Sequence, residues 1–299
     1  MAHAAHAESL PAPSAIAELL KPITWFPPMW AFACGVVASG QPLAEHLGLI
    51  AAGVLLAGPF VCATSQAVND WFDRHVDAIN EPHRPIPSGR MPGRWGLYLA
   101  LIWTVLSLLL STTLGPWGFG AAVVGLVLAW AYSAPPVRLK CNGWWGNAAC
   151  GLSYEGLAWI TGAAVMAGGQ MPALPSMTLA LLYSLGAHGI MTLNDFKSIE
   201  GDRRMGIASL PVQLGARGAA WAACATMMLA QGAVVACLLA WGHPVHAAAI
   251  VGCMAVQALM MRRFLGKPVA RALWLSGVGV PLYVAGMMIS AFALRGGAP

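Results

Sequence analysis

The chain has 299 residues, of which 58% are hydrophobic and only 9% charged, with a mean hydropathy of +0.67 and a formal net charge of +5. Soluble domains carry about 25% charged residues, so this chain has too few to cover its surface in water. A soluble dinucleotide-binding or barrel enzyme, a disordered array and a nucleic-acid binder are excluded as leading readings, and a polytopic membrane protein remains.

Residues 1–20 hold small residues, Pro and two Glu, with no basic stretch ahead of an apolar core. They read as a soluble N-terminal leader rather than a cleaved signal, and residues 21–299 as a single transmembrane domain. Apolar runs long enough to cross about 30 Å of hydrocarbon follow at 23–39, 47–68, 97–114, 117–134, 147–168, 174–193, 219–241, 245–261 and 271–294. The expected fold is all-α, with nine transmembrane helices around a central cavity; Pro27-Pro28 should kink the first or delay its start. Alternate connections take 15 of the 16 basic residues, leaving only Arg295 on the other side. Basic connections mark the cytoplasmic face, which places the N-terminus there. The seven cysteines show neither CxxC pairing nor His partners at zinc spacing, so free thiols are expected.

Seven of the eleven acidic residues fall in two windows, NDWFDRHVDAINEP and NDFKSIEGD. Acids near a bilayer are costly and mark functional sites. Both windows lie where a helix leaves the membrane on the basic side. Asp70, Asp73 and Asp77 are spaced i, i+3, i+7, and Asn69, Asp73 and Asp77 i, i+4, i+8, so a continued helix sets each set on one face. Asn194, Ser198 and Asp202 repeat the second spacing, with Asp195 beside them. Carboxylates this close repel unless a cation lies between them. Hard oxygen donors suit Mg²⁺, which keeps waters and bridges protein carboxylates to substrate phosphates. Asn69, Asp70, Asp73, Asp77, Asn194, Asp195 and Asp202 are therefore candidate metal ligands, with Asp73, Asp77 and Asp202 central to catalysis. Arg74, Arg84, Lys140, Lys197 and Arg203 share those connections and are candidate diphosphate ligands.

The motif Asn69-Asp70-Trp71-Phe72-Asp73-Arg74-His75-Val76-Asp77 resembles the NDxxDxxxD signature of the UbiA superfamily of intramembrane prenyltransferases. Its continuation AINEPHRPIPSGR, the stretch YSAPPVRLKCNGWWGN and the motif NDFKSIEGDRRMGIASLPVQLG resemble the chlorophyll synthase branch. NDWFDRHVDAINEPHRPIPSGRMPGRWG and YEGLAWITGAAV are most similar to its bacteriochlorophyll-forming members. The resemblance implies a UbiA-like bundle in which Mg²⁺ bound to the two Asp motifs holds a polyprenyl diphosphate. It implies transfer of a geranylgeranyl or phytyl group to the propionate of bacteriochlorophyllide a, with pyrophosphate released. A bacterial cytoplasmic or intracytoplasmic photosynthetic membrane is the implied location, and a geranylgeranyl reductase or pigment-insertion factors are implied partners. Asn69, Asp73, Asp77, Asn194 and Asp202 match the family motifs, whereas Ser198 stands where many relatives have Asp, and Asp195 is the candidate to compensate.

Tyr132, beside the Pro135-Pro136 break, Tyr154, the mid-span Glu155 and His188, seven residues before Asp195, are candidates for the prenyl or pigment pocket. The stretches PIPSG and GIASLP read as connectors or lids. Sister enzymes with another acceptor (chlorophyllide, protohaem or a quinone precursor), a cation transporter and a non-catalytic pigment-binding protein stay open as rivals. A transporter would set its acids near mid-membrane on broken helices.

Overall fold

The computed structural model describes residues 10–296, so residues 1–9 of the expected leader lie outside the described residues. Its helices are α1 (Pro13–Leu20), α2 (Phe26–Ala38), α3 (Leu47–Leu55), α4 (Ala63–Asn80), α5 (Trp95–Ser111), α6 (Gly115–Ser133), α7 (Gly143–Gly151) and α8 (Ala158–Met166). They continue with α9 (Leu174–Asp195), α10 (Ile199–Arg204), α11 (Leu210–Ala240), α12 (Pro244–Gly266), α13 (Pro268–Val278) and α14 (Val280–Arg295). Among the described residues no β-strand occurs, only an isolated bridge between Asn142 and Ala208.

Six stretches are long and apolar enough to cross a membrane: Ala44–Ile79, Trp95–Ser133, Leu174–Asp195, Leu210–Ala240, Pro244–Gly266 and Pro268–Arg295. The protein is thus polytopic and all-helical. Gly115, at φ +74°, turns the chain between α5 and α6, which then pack on one another. α2 starts at Phe26, so Pro27 and Pro28 sit in its first turn, where a missing N–H costs nothing. The second apolar run does not stop near residue 68: helical structure continues to Asn80, which carries the whole first Asp motif on α4.

Two π-helical stretches, Leu56–Cys62 and Leu152–Leu157, join α3 to α4 and α7 to α8. Pro59 explains the first, because it lacks the N–H that a regular turn requires. The main core forms where α2, α8, α9, α11 and α14 meet. Trp159 stacks on Tyr183 at 5.9 Å, and the Tyr283 hydroxyl donates to the Tyr183 carbonyl at 2.8 Å. Gly162 lets α8 approach α2 closely, since a Cβ there would lie 3.1 Å from the Val36 nitrogen. All seven cysteines are free, as the sequence indicated.

The α1 helix packs against α4. Ala15, Leu19 and Leu20 are buried with Ala63, Ala67, Val68, Leu99 and Ala100, and burying one leucine contributes about 1.5–3 kcal/mol. Residues 13–20 of the expected soluble leader are therefore a docked helix.

Candidate active site

The α4 helix supplies the first set of carboxylates, but their partners divide it. On one side Asn69 Nδ2 donates to Asp73 Oδ2 at 2.9 Å and to Ser133 Oγ at 3.3 Å. The other oxygen of Asp73 is ion-paired with Lys140, and Arg138 Nη2 lies 3.7 Å from it. On the other side Arg84 Nη1 donates to Asp77 Oδ2 at 2.8 Å and reaches Asp70 Oδ1 at 3.3 Å, while its Nε pairs with Glu81. Lys21 Nζ donates to the same Asp70 oxygen at 2.6 Å. Asp70 is 2% exposed and its Oδ2 is buried without a partner. The sequence spacing put Asp70, Asp73 and Asp77 on one face; the structure turns Asp70 towards α1 and Asp73 towards the 134–142 connection.

The second set is not on one continuous helix. α9 ends at Asp195 and α10 begins at Ile199, so a turn, not the i, i+4, i+8 repeat, places Asp202. Ser198 Oγ donates to Asp202 Oδ2 at 3.0 Å, so the residue that departs from the family pattern supports the neighbouring acid. Asp195 Oδ2 accepts from Asn147 Nδ2 at 3.0 Å, and Asn147 also donates to Thr192 Oγ1 at 3.3 Å. Asn194 and Lys197 are exposed, and Arg203 is exposed with Glu200 3.6 Å away. Arg74 folds onto its own helix: it donates to the Trp71 carbonyl at 2.7 Å and lies 4.4 Å from the Trp71 ring centroid.

A short backbone pairing fixes the two connections together. Gly143 N donates to Ala208 O at 2.8 Å and Ala208 N to Cys141 O at 2.9 Å. Asn142 caps α7 by accepting from Trp144 N at 3.0 Å. Lys140 is thereby carried between the two Asp motifs. Burial pushes its pKa down while Asp73 opposes that shift. Burial likewise raises the pKa of Asp202, with Ser209 and Ser198 opposing; Asp73 adds to the rise and Lys140 lowers it.

An apolar cavity lies inside the bundle, about 730 Å³ of space when its open mouth is counted, and the paired carboxylates and cations are not among its lining residues. Both π stretches wall it, through Leu56, Ala57, Val61 and Cys62 on one side and Ser153, Tyr154 and Leu157 on the other. The stretches touch where Cys62 Sγ meets the Tyr154 hydroxyl at 3.4 Å, and Gln66 Nε2 donates to that hydroxyl at 3.2 Å. Tyr132 lines the cavity and precedes Ser133, the partner of Asn69, so the apolar space adjoins the first motif. Glu155 and His188 are not among the lining residues. Glu155 is buried, with one oxygen lacking a partner, and His188 stacks on Trp144 at 5.6 Å.

Among the described residues no three His, Cys, Asp or Glu side chains converge as a metal cage. The donors present are all oxygen, held on α4, α9 and α10. Mg²⁺ is ordinarily bound by one or two carboxylates together with substrate phosphates, so this set fits an ion that shares its shell with a diphosphate. Sequence reasoning passed over Lys21, Arg138 and Asn147 as site residues. The signal for Asn147 is faint, because one amide in an apolar run does not announce which carboxylate it meets.

Residues 24–277 match the UbiA prenyltransferase family. The chain belongs to the UbiA prenyltransferase family. It is 56% identical over 97% of its length to the bacteriochlorophyll synthase 33 kDa chain of Cereibacter sphaeroides, covering 96% of that protein. It is 47% identical to the 34 kDa chain of Chloroflexus aurantiacus, over 93% and 89% of the two chains. With the chloroplastic chlorophyll synthase of Arabidopsis thaliana it shares 38% identity, over 92% of this chain and 73% of that one. Among solved structures it resembles a digeranylgeranylglyceryl phosphate synthase (TM-score 0.67, 21% identity, 93% and 98% covered). It also resembles a UbiA homologue from Archaeoglobus fulgidus bound to DMAPP and Mg²⁺ (TM-score 0.62, 16% identity, 95% and 99% covered). The UbiA fold and a prenyltransferase activity follow for this chain.

Proposed function

We propose that this prenyltransferase esterifies the propionate of bacteriochlorophyllide a with a geranylgeranyl or phytyl group taken from the diphosphate, releasing pyrophosphate. The observation that carries the proposal is the 56% identity, end to end, with a bacteriochlorophyll synthase chain. The geometry suits it: an apolar cavity for a prenyl tail is lined by Tyr132, the neighbour of Ser133, to which Asn69 of the first motif donates. A carboxylate acceptor is ionised at neutral pH, so no general base is required. The demand falls on the leaving group and on the allylic cation that develops.

Asn69, Asp73, Asp77, Asp195 and Asp202 are the residues we assign to hold Mg²⁺, with Asn194 at the rim. Bound there, Mg²⁺ supplies charge neutralisation for the leaving diphosphate. Lys140 and Arg138, which flank Asp73, are placed to take diphosphate oxygens from the protein side. Arg84 stands one layer back, engaged with Asp70 and Asp77. Lys197 and Arg203 are outer cations that draw the anion in, and Arg74 packs on Trp71. The Tyr132 and Tyr154 rings offer cation–π attraction worth about 0.5–2 kcal/mol. Glu155 and His188 serve the acceptor side of the bundle in this scheme. Nine crossings, with residues 21–299 as one membrane domain and the site facing the cytoplasm of a bacterial photosynthetic membrane, complete the proposal. A reductase supplying the phytyl donor and factors that take up the pigment are its expected neighbours.

The test is purified protein in lipid nanodiscs with Mg²⁺, geranylgeranyl diphosphate and a mixture of bacteriochlorophyllide a, chlorophyllide and a hydroxybenzoate. Bacteriochlorophyllide ester with equal pyrophosphate is the expected product. Preferential prenylation of the hydroxybenzoate would overturn the acceptor assignment.

A further inference from the structure

Two non-glycine residues in the described chain have left-handed backbone: Lys21 at φ +48° and Arg138 at φ +40°. Such a conformation is uncommon for residues with a Cβ and persists where the surroundings impose it. Both are cations, and both meet a first-motif carboxylate, Lys21 at Asp70 and Arg138 at Asp73. Arg138 belongs to the site already described. Lys21 lies 49 positions before its partner and in neither Asp motif.

The surroundings of Lys21 are built. Its N–H caps α1 by donating to Glu18 O at 3.3 Å. Its carbonyl accepts from Thr24 N at 2.9 Å and from Thr24 Oγ1 at 2.8 Å. Trp25 Nε1 donates to the preceding carbonyl of Leu20 at 2.8 Å. The ammonium therefore points at Asp70 from a fixed backbone. Asp70 has two cations and one remaining unpartnered oxygen; the second cation, Arg84, spans to Asp77 with its better contact.

We infer that Lys21 is a positioning residue for the diphosphate site: by satisfying the buried Asp70 it leaves Arg84 free to orient Asp77. This rests on the proposed role of Asp77 and assigns Asp70 to organising the motif rather than to the metal. Without Lys21, a buried carboxylate retains only Arg84 at 3.3 Å. A buried charge stripped of its partner is strongly unfavourable, so Arg84 is drawn to Asp70 and away from Asp77.

The experiment measures Mg²⁺-dependent binding of inorganic pyrophosphate to nanodisc-embedded protein by calorimetry, alongside steady-state kinetics. Lys21→Met should weaken pyrophosphate binding and raise KM for the prenyl diphosphate by about tenfold, the size of a typical coupling between contacting charges. KM for the acceptor should not move, and Lys21→Arg should recover most of the loss. Glu18→Gln cuts the other ionic tie of α1, to Arg90, and should leave pyrophosphate binding unchanged. On an Asp70→Asn background, Lys21→Met should have no further effect. That pair lacks the stranded charge and decides the matter even if Lys21→Met alone does not fold.

Wild-type binding in Lys21→Met, a full tenfold loss persisting on Asp70→Asn, or an equal loss in Glu18→Gln would each overturn the inference. Pyrophosphate binding needs no acceptor, so a wrong acceptor assignment leaves this comparison intact.

Discussion

Asp73 gathers contacts from three directions in one side chain. One oxygen faces Asn69 and the other faces Lys140 and Arg138, so this carboxylate touches both the motif and the cations assigned to the diphosphate. Asp73→Asn should cut ester formation by about 10²–10³-fold, the usual cost of losing one preorganised electrostatic contact in an active site. Product would be counted by chromatography on protein whose thermal unfolding shows it folded. Undiminished turnover would remove Asp73 from the metal and diphosphate machinery. Asp73 stands out in the sequence because charge is scarce and the motif spacing is regular. The different fate of Asp70 was not legible there, since its partner Lys21 comes from a helix far away in the chain.

Among the elements, a tight constraint lies where the start of α7 meets the start of α11. A Cβ on Gly143 would stand 2.6 Å from Leu210 N, in a backbone-to-backbone contact with no flexible side chain to yield. Gly143→Ala should destabilise the protein by about 1–3 kcal/mol, as overpacking does, read as a lowered Tm. Activity should fall further than stability, because Lys140 rides on the displaced connection. The cavity makes a second demand. Ala122, Gly125, Ala129 and Tyr132 line it along α6, a depth of about 15 Å at 1.5 Å per residue. A Cβ at Gly125 would lie 3.3 Å from Val61 Cγ1 and 3.5 Å from Leu157 Cδ2. Gly125→Leu should fill that level and shift donor preference from geranylgeranyl towards shorter diphosphates, scored by competition between C10 and C20 donors. An unaltered preference would place the tail elsewhere. Hydropathy located these helices, but the π stretches that wall the cavity were invisible in it.

For the whole molecule, the alternation of basic residues makes a topological statement that composition of single helices cannot. An odd number of crossings puts the two termini on opposite faces. Reporter fusions at the N-terminus and after residue 296 should therefore report opposite compartments, with the N-terminal one cytoplasmic. Termini on one face would delete or add a crossing. Six stretches meet the length and hydropathy expected of a span. α2 is shorter, and α7 and α8 are joined through a π stretch that carries Ser153, Tyr154 and Glu155. The segments that depart from a plain apolar span include walls of the cavity, where packing against protein replaces contact with lipid.

The sequence by itself determined the membrane class, the helical build and the two acidic motifs. Each of these is written in local quantities: hydropathy over a window, charge at a position and spacing along one helix. Only the tertiary structure decided how the carboxylates are shared out. Ion pairing depends on which distant backbone arrives within about 4 Å, and Lys21, Arg84, Arg138, Lys140 and Asn147 arrive from four different elements or connections. The scarcity of charge that marks a membrane protein also makes those few pairings the organisers of its site.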